Sequence, residues 1–214
     1  DGAGELVRAR RAVLADVPAP VLYLDMVEPR HLPPRLLADL DRFEWDDATI
    51  KVDWVVAGGV PWTAPDVRRA GVIHLDADLE GLTAFHNALL SGRVPPRPFL
   101  LAGQMTTTDP TRSPEGTEAL WAYTHVPRGL RWTEGDLERY ADRMQQIIEE
   151  RAPGFGERII ARNVDGPADL QRHSRSVVDG AINAGTANIY QQLVFRPVPG
   201  LGRADTPVDR LFLA

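Results

Sequence analysis

FLLAGQMTTTDPTRSPEGTEALWAYTHVP, residues 99–127, decides the fold. Residues 99–107 and 119–126 are two runs of strand-forming residues. The DPTRSPEG stretch between them is turn chemistry throughout, because Pro pre-sets a turn dihedral while Asp, Ser and Gly tolerate the rest. The two runs predict a hairpin with a long loop. Strand parity then sorts the side chains: Ala119, Trp121, Tyr123 and His125 share one face, against Leu120, Ala122 and Thr124. On the preceding strand Ala102, Gln104 and Thr106 share a face, against Leu101, Gly103 and Met105.

Upstream, TIKVDWVVA (49–57) alternates as a half-buried strand does. Ile50, Val52, Trp54 and Val56 fall on one side, and Lys51 and Asp53 on the other. Residues 71–76 (GVIHLD) read as a further strand, and Asp78 can cap a helix carrying Leu79, Leu82, Phe85 and Leu89 that Gly92 closes. Nearer the start, VLYLDMV is short and helical, and Pro33–Pro34 open a helix in which Leu36, Leu37, Leu40 and Phe43 fall at helical spacing. Downstream, Thr133-x-x-Asp136 resembles a capping box with Asp in place of Glu. It opens a helix with Leu137, Tyr140, Ala141, Met144 and Ile148 on one stripe, stopped by Pro153-Gly154. Residues 158–164 form a strand and 167–173 a short helix, whereas 174–190 are polar, glycine-rich and without period. These elements sum to an α+β fold, a mixed and largely antiparallel sheet backed by helices.

With 214 residues, 43% of them hydrophobic, the chain can fill a real core. A net charge of -6 and a pI near 5.4 argue against nucleic acid as a partner. No apolar run approaches the roughly 18 residues of a transmembrane segment, and DGAGELVRARR lacks the apolar core of a signal peptide. The absence of cysteine excludes disulfides and thiolate chemistry and fits a cytoplasmic setting; membrane association of a longer parent is compatible with it. Lys51 is the only lysine among many arginines, a bias that base composition explains but that draws attention to Lys51 itself.

Familiar catalytic signatures fail in turn. Ser91, Ser113, Ser174 and Ser176 sit in no nucleophile elbow, and the five histidines show no metal-ligand spacing, so no metal is expected. Asp46-Asp47, and Asp76 with Asp78, read as solvated turns or helix caps. No Walker loop occurs, and Gly154-Phe155-Gly156, which follows Pro153 and lacks a third glycine, is not a dinucleotide fingerprint. Residues 5–15 end in an apolar run with strand character, and residues 211–214 form a bare apolar strand that wants partners on both sides, so both ends are expected to adjoin a part outside the chain.

Three stretches carry a resemblance. FLLAGQMTTTDPTRSPEGTEALWAYTHVP resembles the strand–loop–strand of the phytoene desaturase-like NAD(P)/FAD-dependent oxidoreductases, with its D-P-T-R ahead of W-A-Y-T-H-V-P. IKVDWVVAGGVPWTAP and PGFGERIIARNVDGPADLQR are similar to further segments of that family, so the likeness runs from about Arg10 to Ala214. The family's glycine-rich G-G-D-I-x-G-G run is thinner here, as Asp179-Gly180-Ala181-Ile182-Asn183-Ala184-Gly185.

The resemblance implies a substrate-side domain without its flavin-binding part. Residues 1–15 would be the trailing strand of a missing FAD-binding domain, 16–207 the substrate-side domain, and 208–214 the strand returning to the flavin. FAD would belong to the full-length parent, whose flavin takes a hydride equivalent from substrate, and not to this chain alone. The implied partners are the missing domain of the same polypeptide and a hydrophobic small molecule, with homodimerisation as one way of covering an exposed surface. The candidate substrate-binding residues are Lys51, Gln104, Trp121, Tyr123 and His125; no catalytic residue is assigned. Against this stand a core role for Trp121 and Tyr123, a strand-capping role for His125, and a simple surface ion pair of Lys51 with Asp53. A self-contained small-molecule binding module, or the substrate domain of a flavin amine oxidase or aromatic hydroxylase, remain alternatives.

Overall fold

The computed structural model describes residues 6–75 and 78–214. Residues 1–5 and Asp76, on which the sequence reading places a strand start, a strand end and half of an acid pair, lie outside the described residues. In chain order the strands and α-helices are β1 (Val13–Ala15), α1 (Pro34–Leu40), β2 (Ala48–Ala57), β3 (Val72–Leu75), α2 (Leu79–Leu90), β4 (Leu100–Gln104), α3 (Met105–Thr108), β5 (Thr117–Val126), α4 (Glu134–Arg151), β6 (Ile159–Asp165), α5 (Pro167–His173) and β7 (Leu211–Leu213). They fall into two units. One spans Asp47–Ile182; the other combines the described residues up to Asp46 with Asn183–Ala214.

The larger unit is built on a five-stranded sheet of order β3-β4-β5-β2-β6, antiparallel at every pairing. Alternation in β2 has the consequence expected of it: Ile50, Val52, Trp54 and Val56 are fully buried, while Lys51, Asp53 and Val55 are only half-buried. Leu100, Ala102, Leu120 and Ala122 join the buried face, against Tyr140, Ala141, Met144, Ile147 and Ile148 of α4. Phe155, in the turn after α4, meets the Trp54 ring edge-on at 5.8 Å. The sheet is thus backed by helix on one side, as an α+β fold requires.

Helix α4 begins with the expected capping box. The Thr133 hydroxyl accepts from the Asp136 amide, and the Asp136 carboxylate accepts from the Thr133 amide. At its other end Glu149 accepts the amides of Gly154 at 2.6 Å and Gly156 at 2.7 Å. Those donors hold its carboxyl below the usual carboxylate range, the Gly156 amide most strongly. Buried among these elements, the Tyr140 hydroxyl donates to the Pro95 carbonyl, and desolvation raises its pKa.

The first strand of the hairpin stops earlier than its sequence suggests. β4 ends at Gln104 and the chain winds into the single turn α3, so Thr106 is not a strand residue. The buried Glu118 carboxylate explains the winding, since it gathers the amides of Thr106 and Thr107 and the Thr107 hydroxyl. Three donors neutralise a carboxylate that would be costly to bury alone.

The smaller unit packs Leu22 and Tyr23, from a helical turn at Val21–Met26, against Leu36 and Leu40 of α1 and Val198. The Gln191 side chain clasps the Glu44 backbone, accepting from its amide at 2.8 Å and donating to its carbonyl at 2.7 Å. β1 and β7 form a two-stranded parallel sheet in the register Val13↔Leu211, Leu14↔Phe212, Ala15↔Leu213. Each terminal strand thus finds one partner inside the chain, where the sequence reading places it outside: the pairing joins segments about two hundred residues apart and leaves no local signal.

Two outcomes test these assignments. Phe155→Ala removes the ring that fills the space beside Trp54, and is expected to cost about 3–5 kcal/mol in urea unfolding. Glu149→Gln is expected to lower stability at neutral pH. Because the folded pKa is depressed, the stabilisation is present above the unfolded value of about 4.3 and is lost as pH falls through the folded one. Melting curves of Glu149→Gln and the parent should therefore converge in acid; a gap that persists there would assign the effect to packing.

Candidate functional site

The face of the sheet opposite α4 carries the side chains that the core rejects. Cross-strand register places them in rows, since directly paired residues project to the same side. One rung runs Leu101–Tyr123–Lys51–Asp165, and the next Gly103–Trp121–Asp53–Asn163. A third joins Ala119, Val55 and Ala161. These residues are half-buried or exposed apart from Gly103, so the face is accessible within this unit. At the far end of β2 it closes: Thr49 is 1% exposed, and a Cβ on Gly180 would meet Pro167 at 2.8 Å.

Four of the five sequence candidates meet on this face. Trp121 and Tyr123 lie nearly parallel, with centroids 5.9 Å apart, and Tyr123 meets His125 edge-on at 5.6 Å. The His125 Nδ1 sits 3.4 Å from the Thr49 hydroxyl at the closed end. Lys51 pairs with the Asp53 carboxylate, the same-side ion pair that strand parity anticipates.

Gln104 does not join them. It opposes Leu120 on the buried face, 2% exposed, where its carbonyl accepts from the Trp62 indole and its amide donates to the Val67 and Ala70 carbonyls. All of these hydrogen bonds hold the loop before β3, which makes it a structural residue of the core.

Two features of the face were not singled out from the sequence. Gly103 is a floor for Trp121: a Cβ built there would lie 2.3 Å from the indole Cε2, so only glycine lets the ring lie down on the strand. Asn163 and Asp165 arrive from β6, more than a hundred residues from β2, and are joined to each other by a 3.0 Å hydrogen bond. Parity along β6 was legible, but its place beside β2 was not.

A groove of about 290 Å³ opens on this face. Ala119, Val55 and Ala161 line it in one rung and Trp121, Asp53 and Asn163 in the next, with Met105 and Arg162 also at its wall. Its size is near the lower limit for a small-molecule pocket. A wider depression of about 770 Å³ lies along β6 and the start of α4, but its Arg162 is already paired with Glu138 and Asp142, and its Asp169 with Arg172. Among the described residues no group of three or more His, Asp or Glu side chains is placed to hold a metal ion, and no helix is long and apolar enough to cross a membrane.

With this geometry in hand, known proteins supply a context. No family model matches the chain. The mouse pyridine nucleotide-disulfide oxidoreductase domain-containing protein 2 is 27% identical to it, over 98% of this chain and 38% of the mouse protein. A phytoene desaturase (neurosporene-forming) from Rhodobacter capsulatus is 26% identical, over 92% of this chain and 39% of its own length. Over nearly its whole length this chain is similar to oxidoreductases. It spans only about two fifths of the curated relatives it matches. Among solved structures, an oxidoreductase from Methanosarcina mazei aligns with a TM-score of 0.48 and 13% identity, over 95% of this chain and 37% of that one.

The packing of Trp121 on Gly103 yields a test. Gly103→Ala is expected to cost about 1–3 kcal/mol through overpacking. In a Trp121→Ala background the same change should cost almost nothing, as a double-mutant cycle in urea would show. Additive costs would mean that the indole does not rest on Gly103.

Proposed function

We propose that this chain is the substrate-side part of a FAD-dependent oxidoreductase, and that the open sheet face is the wall of its substrate pocket. The observation that carries the reading is the span of the similarity, nearly all of this chain against about two fifths of each relative. An accessible face bearing Trp121, Tyr123, His125 and Lys51 agrees with it, as does the small-residue floor at Val55. The substrate on this reading is predominantly apolar, held by aromatic and aliphatic contact with a few polar anchors.

The residues present do not fit FAD by themselves. Gly154-Phe155-Gly156, the nearest match to a fingerprint, follows α4 in a turn, and its Gly154 and Gly156 amides are already given to Glu149. They are not free to cradle a phosphate. The flavin therefore comes with the remainder of the polypeptide, and this chain alone is not catalytic.

The smaller unit supports a docking role. β1 and β7 are three residues each, and Val13 and Leu14 are 50% and 72% exposed. A two-stranded sheet of this size has little stability of its own. Nearby in sequence to β7, Ile189, Leu193 and Val194 are 83%, 84% and 66% exposed. Leu193 holds a positive φ of 53°, a conformation that costs a branched side chain roughly 1–2 kcal/mol. We assign β1, β7 and this outward apolar loop to the contact with the flavin-binding part. The stretches 1–15 and 208–214 then belong to the junction, and 16–207 to the substrate side.

A second reading, a self-contained binding module, draws on the closed core of residues 47–182, which needs no further layer behind α4. One experiment separates the two. The chain and a longer polypeptide including its native flanking coding sequence are purified, and their visible spectra compared. Flavin absorbance in the longer protein alone is the expected result; a colourless longer protein after FAD addition favours the binding module. Leu193→Asp should leave unfolding of the isolated chain within about 0.5 kcal/mol of the parent. It should weaken recovery of the flavin complex when the two parts are expressed separately.

A further inference from the structure

The groove on the open face is divided by chemistry, and the division selects a class of ligand. One rung beneath it, Ala119–Val55–Ala161, is apolar and low, with Met105 at its side. The neighbouring rung, Trp121–Asp53–Asn163, places a carboxylate between an indole and a primary amide. Lys51, the counter-ion of Asp53, stands one rung further on and does not line the groove, and the guanidinium of Arg162, which does line it, is held by Glu138 and Asp142. Lys51 engages Asp53 through Oδ2, which leaves Oδ1 without a hydrogen-bond partner among the described residues. A purely hydrocarbon ligand seated here would strip water from that carboxylate and return nothing for it.

Resting on the substrate-pocket reading above, we propose that Asp53 is the specificity-determining residue of this groove. The groove binds a short amphipathic molecule, or the end of a longer one, whose polar terminus donates hydrogen bonds. The aliphatic part lies over Val55 between Ala119 and Ala161, with the Trp121 ring as its wall. The donor end, a hydroxyl or an ammonium, meets the free oxygen of Asp53. A carboxylate-ended molecule of the same length is disfavoured, because its charge would face that of Asp53. The class differs from an all-hydrocarbon substrate in having one obligatory polar end.

The test uses three probes of equal length, octan-1-ol, octylammonium and octanoate, each titrated into the chain below its aggregation concentration. Binding is followed by the amide shifts of Val55, Ala119, Trp121 and Ala161. Octan-1-ol and octylammonium are expected to move these resonances and to bind at least about tenfold more tightly than octanoate, the value of one charge-assisted hydrogen bond. Asp53→Asn should bring octanoate to within a few-fold of octan-1-ol, and Val55→Trp, which fills the floor, should abolish all three responses. Octanoate binding as tightly as the other two, or an order unchanged by Asp53→Asn, overturns the assignment of Asp53. Shifts at these amides would still support the face as a pocket. Silence at these amides with every probe overturns the groove itself. The flavin spectrum of the longer polypeptide is independent of all three results, so failure here and failure of the oxidoreductase reading are told apart.

Discussion

The alternation of β2 is the constraint on which the larger unit depends. It is hydrogen-bonded on both sides, to β5 and to β6, so a slip of one residue would turn Ile50, Val52, Trp54 and Val56 to the open face and drive Lys51 and Asp53 into the core. Burying an ion pair beneath α4 would cost several kcal/mol, and the apolar packing of four core side chains would go with it. The register is therefore fixed by what each face can tolerate. The same rule that builds the core supplies the open face with the residues that the core cannot accept.

The two faces divide the polar groups accordingly. On the buried side Gln104 and Glu118 are taken up by structure: Gln104 ties Trp62 to the loop before β3, and Glu118 winds the turn after β4. On the open side Asp53 keeps a carboxylate oxygen in hand, and Trp121 lies down only because Gly103 has no side chain. The buried Gln104 and Glu118 have their hydrogen bonds filled, whereas a polar group at an accessible face can still meet a ligand.

The smaller unit shows the opposite arrangement. It uses specific hydrogen bonds, the Gln191 clasp on Glu44 and the Arg196 guanidinium on the Gln191 and Gly185 carbonyls, to hold a loop whose apolar tips point outward. Holding Leu193 outward with a positive φ adds nothing to the core of this unit. The loop is thus fixed with its apolar side chains exposed, the feature on which the proposed contact with a flavin-binding part rests.

By itself the sequence determined the α+β class, the hairpin of residues 99–127, the alternating β2, and the capped helix α4 with its inward stripe. All of these are written in periods of two or 3.6 and in local caps. Parity also grouped Trp121 with Tyr123 and His125 on one strand and Lys51 with Asp53 on another, while the pairing of β2 with β5 that joins the two groups is tertiary. Tertiary structure alone decided the rest. The early end of β4 depends on Glu118, eleven and twelve residues from the amides it gathers. Gln104 belongs to the core because Leu120, not Trp121, is its partner across the hairpin, and parity within one strand cannot say which face of its neighbour it joins. Asn163 and Asp165 reach the groove through a pairing of β6 with β2 that spans over a hundred residues. Long-range register is set by the summed burial of both faces, and no local stretch of sequence contains that sum.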